Sequence, residues 1–295
     1  MISIIICSRK ADIPQELKDN IAVTVGCEYE LCVIDNSHNE YNIFTAYNEG
    51  VRRAKGEILC FMHEDIVFHS NKWGKIIEDI YKLEEKYGVI GVIGGQFFPK
   101  TPTSYWEGGT GIGQIIQGTI EHGQYRTFLN GRKIDSKAAG ALVDVVAVDG
   151  LWMCASKRLF DEGIIRWDSD NFDSFHCYDM DICLQSIRSG YRVAVIGGIM
   201  IEHQSFGNTD MNYCIQSQKL FNKWKDVLPL VRGREMSDQE IEERTRMVTQ
   251  MRSYLVQLNT VQQRYDNVLK SKAYRLGKKI LKPLKLLKKN VQSPI

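Results

Sequence analysis

Four apolar runs in this sequence end in side chains that can hold a metal, meet a phosphate or accept a proton. The run beginning at Ile58 stops in His63-Glu64-Asp65. Oxygen and imidazole donors at the carboxyl edge of a strand suit Mg2+ or Mn2+, and open α/β sheets bind their ligands at that edge. The same tripeptide also fits a plain polar turn. Val33-Ile34 ends in Asp35-Asn36-Ser37; Asp35 could accept hydrogen bonds from a base or a ribose, or the three residues could form a turn. Tyr178-Asp179-Met180-Asp181 opens a helix whose apolar positions are Met180, Cys183, Leu184 and Ile187. Asp179, at its very start, is placed to face a cleft as a general base, whereas Asp181 also fits the acidic first turn that complements a helix dipole. His203 ends a short apolar run before Gln204-Ser205-Phe206-Gly207, and it becomes a ligand if it reaches the same metal as Asp65. Ser8-Arg9, after the first run, could meet a nucleotide or lie in solvent.

The elements that must position these groups follow from periodicity. Short β-branched runs at Ile2 to Cys7, Leu31 to Ile34, Ile58 to His63 and Val89 to Ile93 alternate with helical patterns over about 43–54 and 73–87, the pattern of a sheet with crossover helices. Residues 94–131 hold nine glycines and read as a long irregular segment, functional or mobile. Strands then resume at Val143 to Val148, Arg192 to Ile196 and Ile199 to His203, with helices over about 178–189 and 210–227. Ser237-Asp-Gln-Glu240 fits a capping box. Beyond it Ile241, Val248, Met251, Leu255, Leu258, Tyr265 and Leu269 follow rough heptad spacing, interrupted by Arg244 and Gln262, which favours a helix packed on its own body over a dimeric coiled coil.

With 43% apolar and 25% charged residues, the 295-residue chain is neither wholly disordered nor fibrous. Its formal charge of +2 hides an asymmetry: all nine basic residues from Lys270 to Lys289 lie in a stretch without acids, leaving 29 basic against 36 acidic residues over positions 1 to 269. The eight cysteines form no Cys-x-x-Cys pair and mostly sit in apolar runs, so buried thiols in a reducing cytosol are expected. A secretory leader and a membrane-spanning stretch are not expected. From Tyr274 onward, Leu276, Ile280, Leu281, Leu284 and Leu287 share one helical arc opposite Lys278, Lys279, Lys282, Lys285 and Lys289, with a kink at Pro283. Such a helix can lie on an anionic membrane; a solvated helix is the rival, and nucleic acid ranks last.

Taken in order, Tyr47-Asn48-Glu49-Gly50, Ala54-Lys55-Gly56-Glu57 through His63-Glu64-Asp65, the Tyr178-Asp179 helix followed by Gly190-Tyr191, and His203 with Ser205 and Gly207 resemble family 2-type glycosyltransferases of the GT-A fold. The resemblance covers residues 1 to about 226, and in particular the subgroup with His-x-Asp in place of Asp-x-Asp, associated with a streptomycin-biosynthesis protein. It implies a mixed α/β sheet flanked by helices over residues 1–226; beyond it the residues read as a helical extension (227–269), a possible coiled coil, and a basic amphipathic tail (270–295). It implies an inverting, metal-dependent transfer from a nucleotide-diphosphate sugar, a UDP-sugar foremost, to a hydroxyl of a glycan or lipid-linked acceptor. Asp65 and His203 would hold Mn2+ or Mg2+, with His63 in the place of the first aspartate. Cys7, Ser8, Arg9, Asn36, Asn48 and Glu64 would lie along the nucleotide and donor, and Asp35 would hold base or ribose. Asp179 matches the catalytic base, and Tyr178 stands where a glutamate is usual. Asp149, Gly150, Trp152, Tyr178 and Asp181 would surround the donor sugar and acceptor. The enzyme would work in the cytoplasm at the inner face of the membrane, and a homodimer through the C-terminal helices is open. The alternative is a non-catalytic sugar-nucleotide-binding or assembly module of the same fold.

Overall fold

The computed structural model describes residues 1–134 and 140–279. Fifteen strands lie among these residues: β1 (Ile2–Ser8), β2 (Tyr29–Asp35), β3 (Ile58–Met62), β4 (Ile66–Phe68), β5 (Tyr87–Gly91), β6 (Ile93–Gly95), β7 (Phe97–Phe98), β8 (Gly111–Glu121), β9 (Gln124–Arg132), β10 (Leu142–Val145), β11 (Ala147–Val148), β12 (Trp152–Ser156), β13 (Arg192–Ile196), β14 (Ile201–His203) and β15 (Leu230–Val231). The helices are α1 (Gln15–Thr24), α2 (Ile43–Arg53), α3 (Trp73–Leu83), α4 (Lys157–Asp161), α5 (Tyr178–Arg188), α6 (Met211–Trp224) and α7 (Asp238–Lys270). The chain divides into two compact units, Met1–Thr249 and a second that begins at Gln250.

A seven-stranded sheet in the order β10-β13-β5-β12-β3-β1-β2 carries the fold. β1 runs parallel to β2 and β3, while β12 enters antiparallel between β3 and β5. Side chains alternate between the faces of a strand. On β1, Ile2, Ile4 and Ile6 therefore pack with Leu17 and Ile21 of α1 and Trp73 and Ile77 of α3, whereas Ile5 packs with Phe44 and Tyr47 of α2 and Met180, Cys183 and Leu184 of α5. Both faces are covered, which is why the strand from Ile2 to Cys7 reads as an apolar run interrupted only by Ser3. α2 starts on a reciprocal cap: Thr45 N–H donates to Asn42 Oδ1 at 3.0 Å and Asn42 N–H donates to Thr45 Oγ1 at 3.1 Å.

The parallel register fixes where the polar strand ends emerge. Ser8 pairs with Asp35 and Ile6 with Met62, so the segments after β1, β2 and β3 leave from one edge. Trp152 of β12 pairs with Met62, which brings Asp149, Gly150 and Leu151 to that edge from the opposite direction. A second sheet, β11-β6-β8-β14-β4 with β9 on β8, adds His203: in the antiparallel β4–β14 pair it lies opposite Ile66, the residue after Asp65.

Residues 94–131 differ from the sequence expectation. They form β6 to β9, including the long β8–β9 hairpin, and their glycines serve close crossings rather than a loose loop. A Cβ on Gly113 (φ +91°) would stand 2.1 Å from the Val92 carbonyl oxygen, and one on Gly118 would stand 2.2 Å from the Tyr125 hydroxyl. Elements absent from the sequence reading, α1, β4, β12, α4 and β15, also appear. Glu240 N–H donates to Ser237 Oγ at 3.2 Å at the start of α7. Along this helix Met247, Met251, Tyr254, Leu258, Val261, Tyr265 and Val268 recur every three or four residues, each more than half exposed. No helix among the described residues is long and apolar enough to cross a membrane. Of the amphipathic tail arc, Ile280, Leu281, Lys282, Pro283, Leu284, Lys285, Leu287 and Lys289 lie outside the described residues.

Candidate active site

Three donors converge at the sheet edge. His63 Nδ1 lies 3.3 Å from His203 Nε2, and Asp65 Oδ1 lies 3.6 Å from His203 Nε2 and 3.9 Å from His63 Nδ1. Donor atoms bonded to one cation at about 2.1 Å stand about 3.0 to 3.6 Å apart, so these three fit around a common ion with little movement. They form a group able to hold a metal. The Ser205 hydroxyl, 3.4 Å from His203 Nε2, stands beside it. Backbone bonds hold two of these residues: His63 N–H donates to the Leu151 carbonyl at 3.0 Å, and Gln204 N–H to the Asp65 carbonyl at 2.9 Å. Burial pushes the Asp65 carboxyl up, but His203, Ser205 and His63 together bring it well below the ordinary carboxylate range. Burial and the neighbouring His203 push the His63 imidazole down. At His203 burial acts downward and Asp65 more than reverses it, so its pKa is raised.

Two cavities meet at this cluster. One, about 370 Å³, is lined by Cys7, Arg9 and Asn36 from the ends of β1 and β2, with Glu64, Asp65 and Ser205. The other, about 470 Å³, is lined by Asp149, Asp179, His203, Trp106, His176 and Phe206 among others. His63, Phe175 and Tyr178 line both. Within that shared wall the Tyr178 hydroxyl lies 2.7 Å from His63 Nε2.

Asp179 is the second residue of α5, which follows Cys177, whose φ of +67° is unusual for a residue with a side chain. Its carboxylate accepts from Met180 N–H at 2.9 Å and Gly150 N–H at 3.2 Å. Burial first, then the charge of Asp149, raises its pKa to about 7 against those two bonds. Asp149 is itself held by the Tyr105 hydroxyl at 2.7 Å and Leu151 N–H at 2.9 Å.

The other residues singled out from the sequence fall into two groups. Glu64 anchors the first cavity: Ser8 Oγ donates to it at 2.6 Å and Arg9 Nε at 2.9 Å. Burial raises the Glu64 carboxyl, and these donors bring it below its usual pKa. Burial pushes the Cys7 thiol up to about 11, so it stays protonated at neutral pH. Asn36 shapes the loop after β2 by pairing with both Tyr41 backbone groups, at 2.8 and 2.9 Å. The remaining four stand away from the lining. Asp35 is exposed and accepts from Ser37 N–H at 2.9 Å. Asn48 donates to the Trp167 carbonyl at 2.8 Å. Trp152 is wholly buried against Trp73 and Phe68. Asp181 is occupied by Trp224 Nε1, Lys223 and Gln185 at 2.7 to 2.9 Å. Tyr105, Trp106, Gln117, Phe175, His176 and Tyr213 also line the larger cavity and were not read as site residues. The aromatic pair Tyr105-Trp106 in the glycine-rich segment, and Phe175-His176 just before Tyr178, were the available signals.

A family model described as "Glycosyltransferase like family" matches residues 3–226, the span that holds every group above. The chain belongs to that family. It is a glycosyltransferase of mixed α/β architecture, with sheets flanked by helices and a C-terminal helical extension, as the resemblance in its motifs implied. No curated protein matches the sequence. Among solved structures, this glycosyltransferase is similar to GalNAc-T7 with UDP, GalNAc and Mn2+ (10% identity, 77% of this chain and 50% of that one, TM-score 0.48). It is also similar to a mannosyltransferase from Pyrobaculum calidifontis in complex with GDP-Man and Mn2+ (11%, 93% and 82%, 0.44) and to S. aureus TarS 1-349 (11%, 86% and 71%, 0.43).

The environment of Asp179 makes a stability prediction. A carboxyl whose pKa is raised on folding binds protons more tightly in the native state, so its contribution is present in acid and lost as pH rises through about 7. Asp179→Asn removes the buried charge and keeps an oxygen for only one of the two amides, so the loss of the other bond lowers its stability by the same amount at every pH. Thermal melts are expected to show the melting temperature of the variant, relative to that of the parent, rising by several degrees between pH 5 and pH 8. A difference that does not change with pH, or that falls, contradicts the assigned environment.

Proposed function

We propose that this glycosyltransferase moves a sugar, with inversion at its anomeric carbon, from a nucleotide-diphosphate donor to a hydroxyl of a glycan or lipid-linked acceptor. A UDP-sugar is the donor put forward. The observation that carries this reading is the position of His63, Asp65 and His203 where two cavities meet, with a buried carboxylate of raised pKa in only one of them.

The smaller cavity, beside Cys7, Arg9, Asn36 and Glu64, would take the nucleotide. His63, Asp65 and His203 would hold a divalent cation beside the donor diphosphate. When bound, that cation supplies positive charge against the negative charge that gathers on the leaving diphosphate. Two imidazoles and one carboxylate suit Mn2+ better than Mg2+, which prefers an oxygen shell.

Asp179 would be the general base. A sugar hydroxyl is a very weak acid and must lose its proton as it attacks, so a carboxylate poised near working pH is the required partner. The amides of Gly150 and Met180 fix both Asp179 oxygens, and Asp149 raises its basicity by like charge. Inversion requires the base on the face opposite the leaving group. An acceptor in the larger cavity and a nucleotide in the smaller one would satisfy that requirement.

Residues 1–226 would perform the transfer, and 227–269 would form a helical extension whose exposed heptad-spaced face can pair with a second copy. The basic 270–295 segment would bring the enzyme to the cytoplasmic face of an anionic membrane.

Incubation with a panel of nucleotide sugars and Mn2+ tests the chemistry. Turnover of one donor is expected, with Asp179→Asn and Asp65→Ala each lowering kcat by about 100-fold or more. The acid limb of the rate profile should lie near pH 7 and move to lower pH in Asp149→Asn, because removing the like charge favours ionised Asp179. Turnover that survives both substitutions removes the assigned roles. Flotation with anionic vesicles tests the tail: the full chain should rise with the lipid and a chain ending at Asn267 should not. Equal flotation contradicts membrane binding by the tail.

A further inference from the structure

We propose that Tyr178 is a positioning residue for the metal site: its hydroxyl accepts the ring proton of His63 at Nε2 and so commits Nδ1 of the same ring to the cation. This rests on the reading that His63, Asp65 and His203 hold a metal, and it adds a fourth residue with a defined task.

The argument starts from the two nitrogens of one imidazole. In the neutral ring one nitrogen carries the proton and the other carries the lone pair that a metal needs, and the partner of the first decides which is which. His63 presents Nδ1 to His203 Nε2 at 3.3 Å and to Asp65 Oδ1 at 3.9 Å, so Nδ1 is the nitrogen on the cluster side. Nε2 faces the other way, 2.7 Å from the Tyr178 hydroxyl. For Nδ1 to be a ligand, the proton must sit on Nε2, and a phenol oxygen at that distance is the acceptor that keeps it there. Partners of this kind behind ligating histidines fix ring orientation and tautomer, and their loss typically costs 10- to 100-fold in metal affinity or activity.

The phenol is itself held in place. Its ring packs edge-on against Phe44 and Tyr47, with centroids 6.4 and 5.8 Å away. Gly150 completes the fit, because a Cβ there would stand 2.1 Å from the Tyr178 hydroxyl oxygen. A phenol, with an ordinary pKa of about 10, is a neutral hydroxyl at neutral pH. A hydroxyl that accepts from Nε2 still has its own proton to give, and Tyr178 lines both cavities. A carboxylate in the same position would have no such proton. The site thus gains a neutral donor at the boundary of the two cavities, available to an oxygen of the bound substrate.

The test is Mn2+ binding by calorimetry in the absence of nucleotide, on the full chain, Tyr178→Phe, Gly150→Ala and Asp65→Ala. Both Tyr178→Phe and Gly150→Ala should bind Mn2+ about 10-fold or more weakly than the parent, the first by removing the oxygen and the second by displacing it. Nitrogen-15 spectra of the metal-free imidazoles, with His63 assigned by its loss in His63→Ala, provide a readout that a general structural role would not move. The parent should show the Nε2–H tautomer at His63, and Tyr178→Phe a mixture. Tyr178→Phe affinity within twofold of the parent, or an Nδ1–H tautomer in the parent, overturns the inference even if a variant folds poorly. If the parent and Asp65→Ala are alike in binding no Mn2+, the metal reading falls and takes this inference with it.

Discussion

The active site depends on one long-range pairing, the antiparallel contact of β4 with β14. Asp65 immediately precedes β4, and His203 is opposite Ile66 in that pair. Without it, His63 and Asp65 are a polar strand end and His203 is a histidine about 140 residues away. With it, an imidazole nitrogen lies within 3.6 Å of both other donors. The β1–β2–β3 register sets the other half of the arrangement, because three strands leaving one edge in the same direction create the cleft that the smaller cavity occupies. The antiparallel β12 then brings Asp149 to Leu151 to the same edge, and these residues hold His63 and Asp179 through backbone groups.

The site concentrates groups that are costly to bury. Asp179 and Asp149 are close enough for like charge to raise the Asp179 pKa, and burial raises it further. Both carboxylates are retained because amide and hydroxyl donors meet them: Gly150 and Met180 at Asp179, Tyr105 and Leu151 at Asp149. This is the arrangement a general base needs, ionisable near neutrality and fixed in direction. The contrast with Asp181 is instructive. It lies two residues along the same helix, is as deeply buried, and is enclosed by Trp224, Lys223 and Gln185. Its charge serves to join α5 to α6.

Much of this could be read from sequence because the information is local. The β1, β3 and β13 runs are mostly apolar, and the polar groups that follow β1 and β3, Ser8-Arg9 and His63-Glu64-Asp65, are adjacent to them in the chain. The Asp179 helix opens where the pattern of Met180, Cys183 and Leu184 places it. What escaped depends on distance along the chain or on backbone shape. Asp181 resembled a site residue because two of its three partners, Lys223 and Trp224, are more than 40 residues away. The resemblance set Trp152 among the residues around donor sugar and acceptor, yet the β12 alternation turns it into the core against Trp73. Residues 94–131 looked irregular because nine glycines imply loops by composition, while here glycine permits strands to cross at distances that exclude a Cβ. Tyr178 reads in the sequence as a departure from a motif, and only the fold pairs it with His63.

The central claim is that His63, Asp65 and His203 hold one cation against a donor diphosphate at the junction of the two cavities. Electron–nuclear double resonance on Mn2+ added to the protein with a nucleoside diphosphate tests it most directly. The account predicts nitrogen couplings from two imidazoles and phosphorus couplings from the diphosphate on the same ion, with the nitrogen couplings lost in a chain carrying both His63→Ala and His203→Ala. Phosphorus couplings alone, unchanged by those substitutions, would contradict it.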